Sequence, residues 1–269
     1  MSAVTFALKA ALRQRLDVSP LIPEALAPLG PDQIGAIPLQ YGNRTLAVDE
    51  LFDFEVGQGD PGVIFRGGSE KLDYVGRGMT QGEIRVEGPA GAYVGLQMKG
   101  GRLSVTGSVG LFCAAEMRRG AILVEGDAGD WLGGALPGNR KGMAGGSVVV
   151  RGCAGARVGD HMRRGVILIE GDAGEYLGSR MVAGTIAVKG RVGAHPGYAM
   201  KRGTLLLFSA PGSVPPTFND CGLHTLGFLP LLLRSFVGLG SSAFGICQRV
   251  QRYAGDLAAN GKGEILIVQ

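Results

Sequence analysis

Residues 162–181 read MRRGVILIEGDAGEYLGSRM. The two methionines stand 19 residues apart, and each is followed three residues later by glycine, Gly165 and Gly184. Moving outward, Met79, Met98, Met117, Met143, Met162, Met181 and Met200 carry the same M-x-x-G, with spacings of 19, 19, 26, 19, 19 and 19. The single 26 is one repeat plus a seven-residue insertion near Gly134 to Lys141. After each M-x-x-G comes a short aliphatic alternation, then G-x-x-G (Gly88/Gly91 through Gly190/Gly193), then a further small residue such as Gly95 or Ala114.

A repeat of this length cannot bury its apolar side alone, so successive copies must stack. Strand alternation points Ile84/Val86, Leu103/Val105, Ile122/Val124, Val148/Val150, Ile167/Ile169, Ile186/Val188 and Leu205/Leu207 inward as aliphatic ladders. The methionines fill an irregular corner and the glycines turn the chain between faces. The apolar offsets are not hexapeptide-periodic, and parallel crossovers are normally right-handed. The pattern predicts an all-β fold, a right-handed parallel β-helix of seven coils built on a 19-residue repeat. At about 4.8 Å per coil the rod is about 30–35 Å long. It is expected over residues 73–208, with a small N-terminal α+β cap over 1–72 and a C-terminal helical segment over 209–269 packed along the rod.

Within the cap, Val4–Lys9 reads as a strand, Pro20–Leu29 and Pro31–Ile37 as short helices, and Tyr41-Gly42-Asn43 as a turn. After the Pro/Gly stretch Ala210–Pro216, helices are expected around Phe228–Val237 and Gly245–Ala259, with a last strand at Glu264–Val268. The outward central residue of each coil strand is Arg85, Ser104, Leu123, Val149, Leu168, Ala187 and Leu206. A solvated strand face keeps that position polar. Coils three to seven must therefore be covered, by the C-terminal helices or, failing them, by another subunit.

Composition narrows the function classes. Lys and Arg number 27 against 23 Asp and Glu among 269 residues, too small an excess for a nucleic-acid binder unless clustered. The charged fraction of 19% and hydrophobic fraction of 45% argue against disorder. No secretory signal is evident, and the run Leu226–Leu239, broken by Pro230 and Arg234, is too short to span a bilayer. A cytoplasmic chain without membrane partners is expected. Cys113, Cys153, Cys221 and Cys247 form no CxxC pair and read as reduced thiols, two of them at apolar or small repeat positions and so expected to be buried.

Chemistry-bearing residues are sparse. His161, His195 and His224 show no metal-ligand spacing. His195 takes the repeat position of Tyr93, Phe112, Trp131 and Tyr176, so a ring in an aromatic stack is expected. Asp127 and Asp172 recur in Gly-Asp-Ala-Gly. Acid/base work is one reading, but the same corner carries Pro89, Ser108, Cys153 and Arg191, which favours capping of their own turns. No nucleophile–base arrangement stands out, and no catalytic or metal site is expected.

One polar pattern remains. The residues after each Met include Lys99, Arg118/Arg119, Arg163/Arg164 and Lys201/Arg202, and the insertion adds Arg140 and Lys141. Stacking places the pairs on one edge, on alternate coils. Two readings stand: a solvated edge, or a contact line for a polyanion or an acidic partner.

A β-helix with G-x-x-G-x-x-x-G repeats resembles the GXGXG domain, known in the large subunit of glutamate synthase and as the C subunit of formylmethanofuran dehydrogenase. The resemblance covers about half the chain. The segments Ile37-Pro38-Leu39, Tyr41-Gly42-Asn43 and Leu51-Phe52 look like the cap preceding the helix in that C subunit. The chain looks most like the C subunit of the bacterial formyltransferase/hydrolase complex of methylotrophs. The C subunit of a true molybdenum or tungsten formylmethanofuran dehydrogenase, and a glutamate synthase-type domain, are the alternatives. The resemblance implies a non-catalytic scaffold in a hetero-oligomer. Its expected partners are a formyltransferase subunit, a zinc amidohydrolase-like subunit and a molybdenum/tungsten-subunit-like protein. That assembly moves a formyl group from tetrahydromethanopterin to methylofuran and releases formate. No cofactor is expected on this chain alone, but the polyglutamate tail of methylofuran is a candidate for the basic edge.

Overall fold

A computed structural model describes residues 2–58 and 62–269. The protein is mostly β, with one sheet of 13 strands and another of four, in an all-β, β-helix-like arrangement. The repeat strands Glu83–Glu87, Lys99–Val105, Arg119–Val124, Ala144–Val150, Arg164–Ile169, Thr185–Val188 and Thr204–Leu207 form the middle of the large sheet. Consecutive strands pair parallel with equivalent positions opposite one another, as Ile84 with Leu103, Ile122 with Val148 and Ile186 with Leu205. A second line of parallel bridges joins Ala90, Val109, Ala128, Ala154, Ala173 and Val192, inside each G-x-x-G. The inward aliphatics, from Ile84 and Val86 to Leu205 and Leu207, are all buried. Each is worth about 1.5–3 kcal/mol over an exposed position.

The M-x-x-G spacing has a physical cause that acts between repeats rather than within one. Every repeat methionine is fully buried. Its Cε lies where a Cβ on the next repeat's glycine would stand. The separation would be 2.8 Å for Met143 at Gly165 and 2.8 Å for Met181 at Gly203, and Met79 stands closer still at Gly101. That glycine also has positive φ, +105° at Gly165, and a Cβ there would meet Gly146 O at 2.7 Å. Methionine and glycine are thus two halves of one inter-repeat contact.

The corners are tied in the same direction. Ser108 Oγ accepts the Asp127 N–H at 3.0 Å, and Asp127 Oδ1 accepts the Cys153 N–H at 2.7 Å. Cys153 Sγ accepts the Asp172 N–H at 3.4 Å, and Asp172 Oδ1 accepts the Arg191 N–H at 2.7 Å. Asp127 and Asp172 therefore cap the following repeat's corner, not their own turn, because stacking in register brings that amide to 2.7 Å from each carboxylate. An aromatic stack runs beside them: Tyr74 on Tyr93 (4.7 Å), Tyr93 on Phe112 (5.4 Å) and Phe112 on Trp131 (5.1 Å). Arg157 holds the next position, 4.6 Å over Tyr176, and His195 stacks on Tyr176 at 5.1 Å.

The flanks differ from the sequence reading in two ways. Ser2–Leu8 and Gly62–Arg66 join the large sheet as parallel strands ahead of the first repeat, and Gly263–Val268 adds a parallel strand after the last. The region around Gly245–Ala259 is not helical. It holds the strand Arg249–Gly255 and a 3-10 turn Leu257–Ala259, because Arg249–Gly255 pairs antiparallel with both Gly263–Val268 and Asn219–Thr225. The C-terminal segment is thus one helix, Leu229–Gly238, with three strands rather than a helical segment.

That helix lies on the apolar outer face. Leu229, Leu233, Phe236 and Phe244 pack with Val149, Leu168, Ala187 and Leu206, and Leu123 is half-buried at the margin. Arg85 at the uncovered end is exposed. Ser241 donates to Glu170 (2.5 Å) and Arg151 donates to Gly240 O (3.3 Å), fastening the following loop to the repeats.

Gly165→Ala should destabilise the chain by about 1–3 kcal/mol, read from urea unfolding of the full-length protein. Gly212→Ala, where nothing lies within 4 Å, should change stability by less than about 0.5 kcal/mol. Equal effects would mean that the Met–Gly contact does not set the stack.

Candidate cationic edge

The edge arises from the register. Arg119 stands opposite Lys99, and Arg164 opposite Ala144. The Arg163 N–H donates to Met143 O, and the Lys201 N–H donates to Met181 O. Lys99, Arg118, Arg119, Arg163, Arg164, Lys201 and Arg202 are all exposed. Ion pairs among the described residues engage other bases, such as Arg15 with Asp73, Arg151 with Glu125 and Arg180 with Asp160, and none of these edge cations.

The edge is not uniform. A concavity of about 740 Å³ is lined by Arg163, Arg164, Lys201, Arg202, Asn260 and Lys262, with Ala144, Val182 and Ala183 as its small apolar lining. Repeats five and seven supply four of the cations, Lys262 adds a fifth, and repeats four and six supply the space between the first two pairs. Lys99, Arg118 and Arg119 lie on the same edge outside this concavity. Arg140 and Lys141 do not line it either. Arg140 meets the edge through its carbonyl, which accepts Arg163 Nη2 at 3.5 Å.

Asn260 and Lys262 escape the sequence reading. Their signal is nonetheless present: Gly263-Glu264-Ile265-Leu266-Ile267 repeats the pattern of Gly203-Thr204-Leu205-Leu206-Leu207, and Glu264 stands opposite Thr204. Lys262 therefore falls at the place of Arg202 on an additional rung. Met200 Sδ lies 2.7 Å from a Cβ built on Gly263, so this rung repeats the Met–Gly contact without its own methionine.

The insertion is held by Glu116, which accepts Gln97 Nε2 at 2.9 Å, Asn139 Nδ2 at 2.6 Å and the Leu136 N–H at 3.4 Å. Burial pushes the Glu116 carboxyl up, but these hydrogen bonds outweigh it and hold it below its ordinary value. The stability this gives is present above the ordinary carboxyl pKa and is lost as pH falls through the depressed one.

The other titratable groups do not gather into a site. Among the described residues no group of three or more His, Cys, Asp or Glu side chains is placed to hold a metal. Burial lowers the His161 imidazole, against the opposing charge of Asp160. Asp160 is itself buried and satisfied by Ser179 (2.6 Å) and by Arg180 at 2.9 and 2.7 Å. Only Cys113 of the four cysteines is fully buried, its thiol pushed up to about 12 by burial. Cys153 sits on an exposed corner rather than inside, because its repeat position belongs to the outer hydrogen-bond ladder. No helix among the described residues is long and apolar enough to cross a membrane.

Stack and edge together define a repeat-built, β-helix-like protein with a row of exposed cations that form no ion pair among the described residues. No protein-family model matches the chain. The C subunit of the formyltransferase/hydrolase complex Fhc from Methylorubrum extorquens is 41% identical over 87 residues, 32% of each chain. The C subunit of the tungsten-containing formylmethanofuran dehydrogenase 2 of Methanocaldococcus jannaschii is 42% identical over 57 residues, 20% of this chain and 21% of that one. These alignments span a third or less of the curated relatives' length. The X-ray structure of the formyltransferase/hydrolase complex FhcABCD from Methylorubrum extorquens, solved with methylofuran, matches over 98% of this chain and 99% of that chain, with a TM-score of 0.92 and 40% identity. The chain belongs to the family of C subunits of formyltransferase/hydrolase complexes.

Glu116→Ala should speed tryptic cleavage after Arg140 and Lys141 several-fold at neutral pH, followed by mass spectrometry. Unchanged cleavage would mean that Glu116 does not hold the insertion.

Proposed function

We propose that this chain is the structural subunit of a formyltransferase/hydrolase complex and is itself non-catalytic. The full-length match to a chain of the methylofuran-bound complex carries the reading. Matches to the tungsten dehydrogenases reach only a fifth to a third of the chain, so that alternative is not favoured. In this reading residues 73–208 form a right-handed parallel β-helix of seven coils, which the in-register parallel pairing and the second line of bridges support. Residues 1–72 cap one end, and residues 209–269 cover coils three to seven.

The partners are the formyltransferase, the zinc amidohydrolase-like and the molybdenum/tungsten-subunit-like proteins, assembled in the cytoplasm. Methylofuran carries the formyl group between transfer and release. The acidic tail of such a carrier fits the edge, because exposed Arg and Lys without carboxylate partners hold anions by charge-assisted hydrogen bonds. Arg163, Arg164 and Arg202 would hold the tail, and Lys99, Arg118, Arg119, Arg140 and Lys141 extend the positive field along its path.

Replacing Arg118, Arg119, Arg163 and Arg164 together by Ala should lower formate production by the purified complex about tenfold or more without dissociating it. The loss should shrink as salt rises, because salt screens the wild-type edge. Unchanged kinetics over a range of salt would contradict the role given to the edge.

A further inference from the structure

The C-terminal cover has two apolar sides. The helix Leu229–Gly238 reads Leu-Pro-Leu-Leu-Leu-Arg-Ser-Phe-Val-Gly, with one charge in ten residues. Leu229, Leu233 and Phe236 form its buried side, against the repeats. On the other side Leu231 is 68% exposed, and Phe228, one turn earlier, is 48% exposed. Val237, at 58%, flanks them. A surface helix carries a polar outer face, and a helix apolar all round is covered all round.

The loop after the helix extends the same surface. Phe244 packs edge-on against Phe236 with ring centroids 5.4 Å apart, and Gln248 O accepts the Leu226 N–H at 2.9 Å. The loop therefore runs back along the helix, from beside its last turns to beside its start. Ile246, midway between those two ties, is 69% exposed. The other exposed large apolar side chains among the described residues, Val56, Leu111, Tyr198, Leu223 and Leu257, are scattered over other elements. Single apolar side chains are ordinary at a surface, whereas a cluster within residues 228–246 marks a contact.

Charge narrows what covers this face. From Cys221 to Ala254 the chain has no Asp or Glu. Arg252 in that stretch pairs with Glu264 at 3.2 Å. Arg234, exposed on the helix one turn after Leu231, has no carboxylate within ion-pair distance among the described residues. A second copy fits poorly, because a two-fold contact presents the same base from both sides and no carboxylate from this stretch to meet it. A lipid surface fits poorly too, because helices that lie among headgroups have a polar face rich in Lys and Arg, and this helix has one base. An apolar protein surface with a carboxylate opposite Arg234 satisfies both the apolar area and the charge.

We infer that the outer side of the helix Leu229–Gly238, with Phe228 and Ile246, seats a second subunit of the complex, one that presents an apolar patch rimmed by a carboxylate. The inference rests on membership of the complex, as proposed above, and adds where on this chain a partner sits and what its surface carries. The helix is then a two-sided spacer: one side seals the repeats and the other holds the neighbour. Leu231 and Ile246 anchor the contact, and Arg234 sets its orientation.

The test uses the whole complex, purified through a tag on this chain, diluted in steps, and counted subunit by subunit with native mass spectrometry. With Leu231→Asp/Ile246→Asp, one subunit should dissociate at a concentration at least about tenfold higher than from the wild type. Arg234→Glu, which touches no apolar packing, should weaken the same contact about threefold or more, and more strongly as salt falls. Leu111→Asp, at a site 45% exposed on another element, should leave assembly unchanged. Unfolding midpoints of each isolated variant exclude misfolding as the cause. Wild-type stability of the complex in both helix variants would overturn the inference while leaving membership of the complex standing. A wild-type chain recovered alone would overturn both. Sedimentation of the isolated chain as a dimer, or its flotation with anionic lipid vesicles, abolished in either case by Leu231→Asp/Ile246→Asp, would give the face to a second copy or to a membrane and overturn the inference.

Discussion

The buried methionine of one repeat sits against the bare Cα of the next repeat's glycine, and the rest of the structure depends on this contact. A Cβ at that glycine would overlap both the methionine Cε and a backbone carbonyl of the preceding repeat. The contact fixes the rungs at hydrogen-bonding distance and leaves no slack for a register slip. A slip by one residue would turn the aliphatic pairs outward and expose a row of apolar side chains along the stack. The contact also explains why a repeat so rich in glycine holds a unique fold: at the M-x-x-G glycines the freedom of the residue is used up in positions where a Cβ would clash.

Register turns sequence periodicity into surface. Once equivalent positions are superposed, each position in the repeat becomes a line along the molecule. One line is aliphatic and forms the core. Another is aromatic, from Tyr74 to Trp131 and on to Tyr176 and His195. A third alternates acceptor side chains that hold the next corner. The line after the methionines carries cations, and their spacing is set by the rung height rather than by local loop geometry. A single added rung, Gly263–Val268, then converts part of that line from an edge into a concavity.

The repeat, its strands, the inward ladders and the covered outer face are legible because periodicity is a property of sequence alone. The apolar residues at Leu123, Val149, Leu168, Ala187 and Leu206 announce a cover, and the helix Leu229–Gly238 provides it. What escapes depends on partners that no local pattern shows. Arg249–Gly255 reads as helix in isolation because its strand character comes from partners on both sides, Asn219–Thr225 and Gly263–Val268, that no local pattern reveals. Asp127 and Asp172 read as local caps, since nothing in a single repeat shows how near the next repeat's amide comes. Lys262 escapes notice because its rung lacks the methionine that marks the others, although its Gly-x-aliphatic-x-aliphatic pattern repeats theirs.

As proposed above, this stack is a docking element whose sides are assigned within a larger enzyme. Native mass spectrometry of the tagged chain purified from its own cell at low salt tests this most directly. The account predicts a hetero-oligomer containing this chain with a formyltransferase-type and an amidohydrolase-type subunit. The chain recovered alone, at full yield and folded, would contradict it.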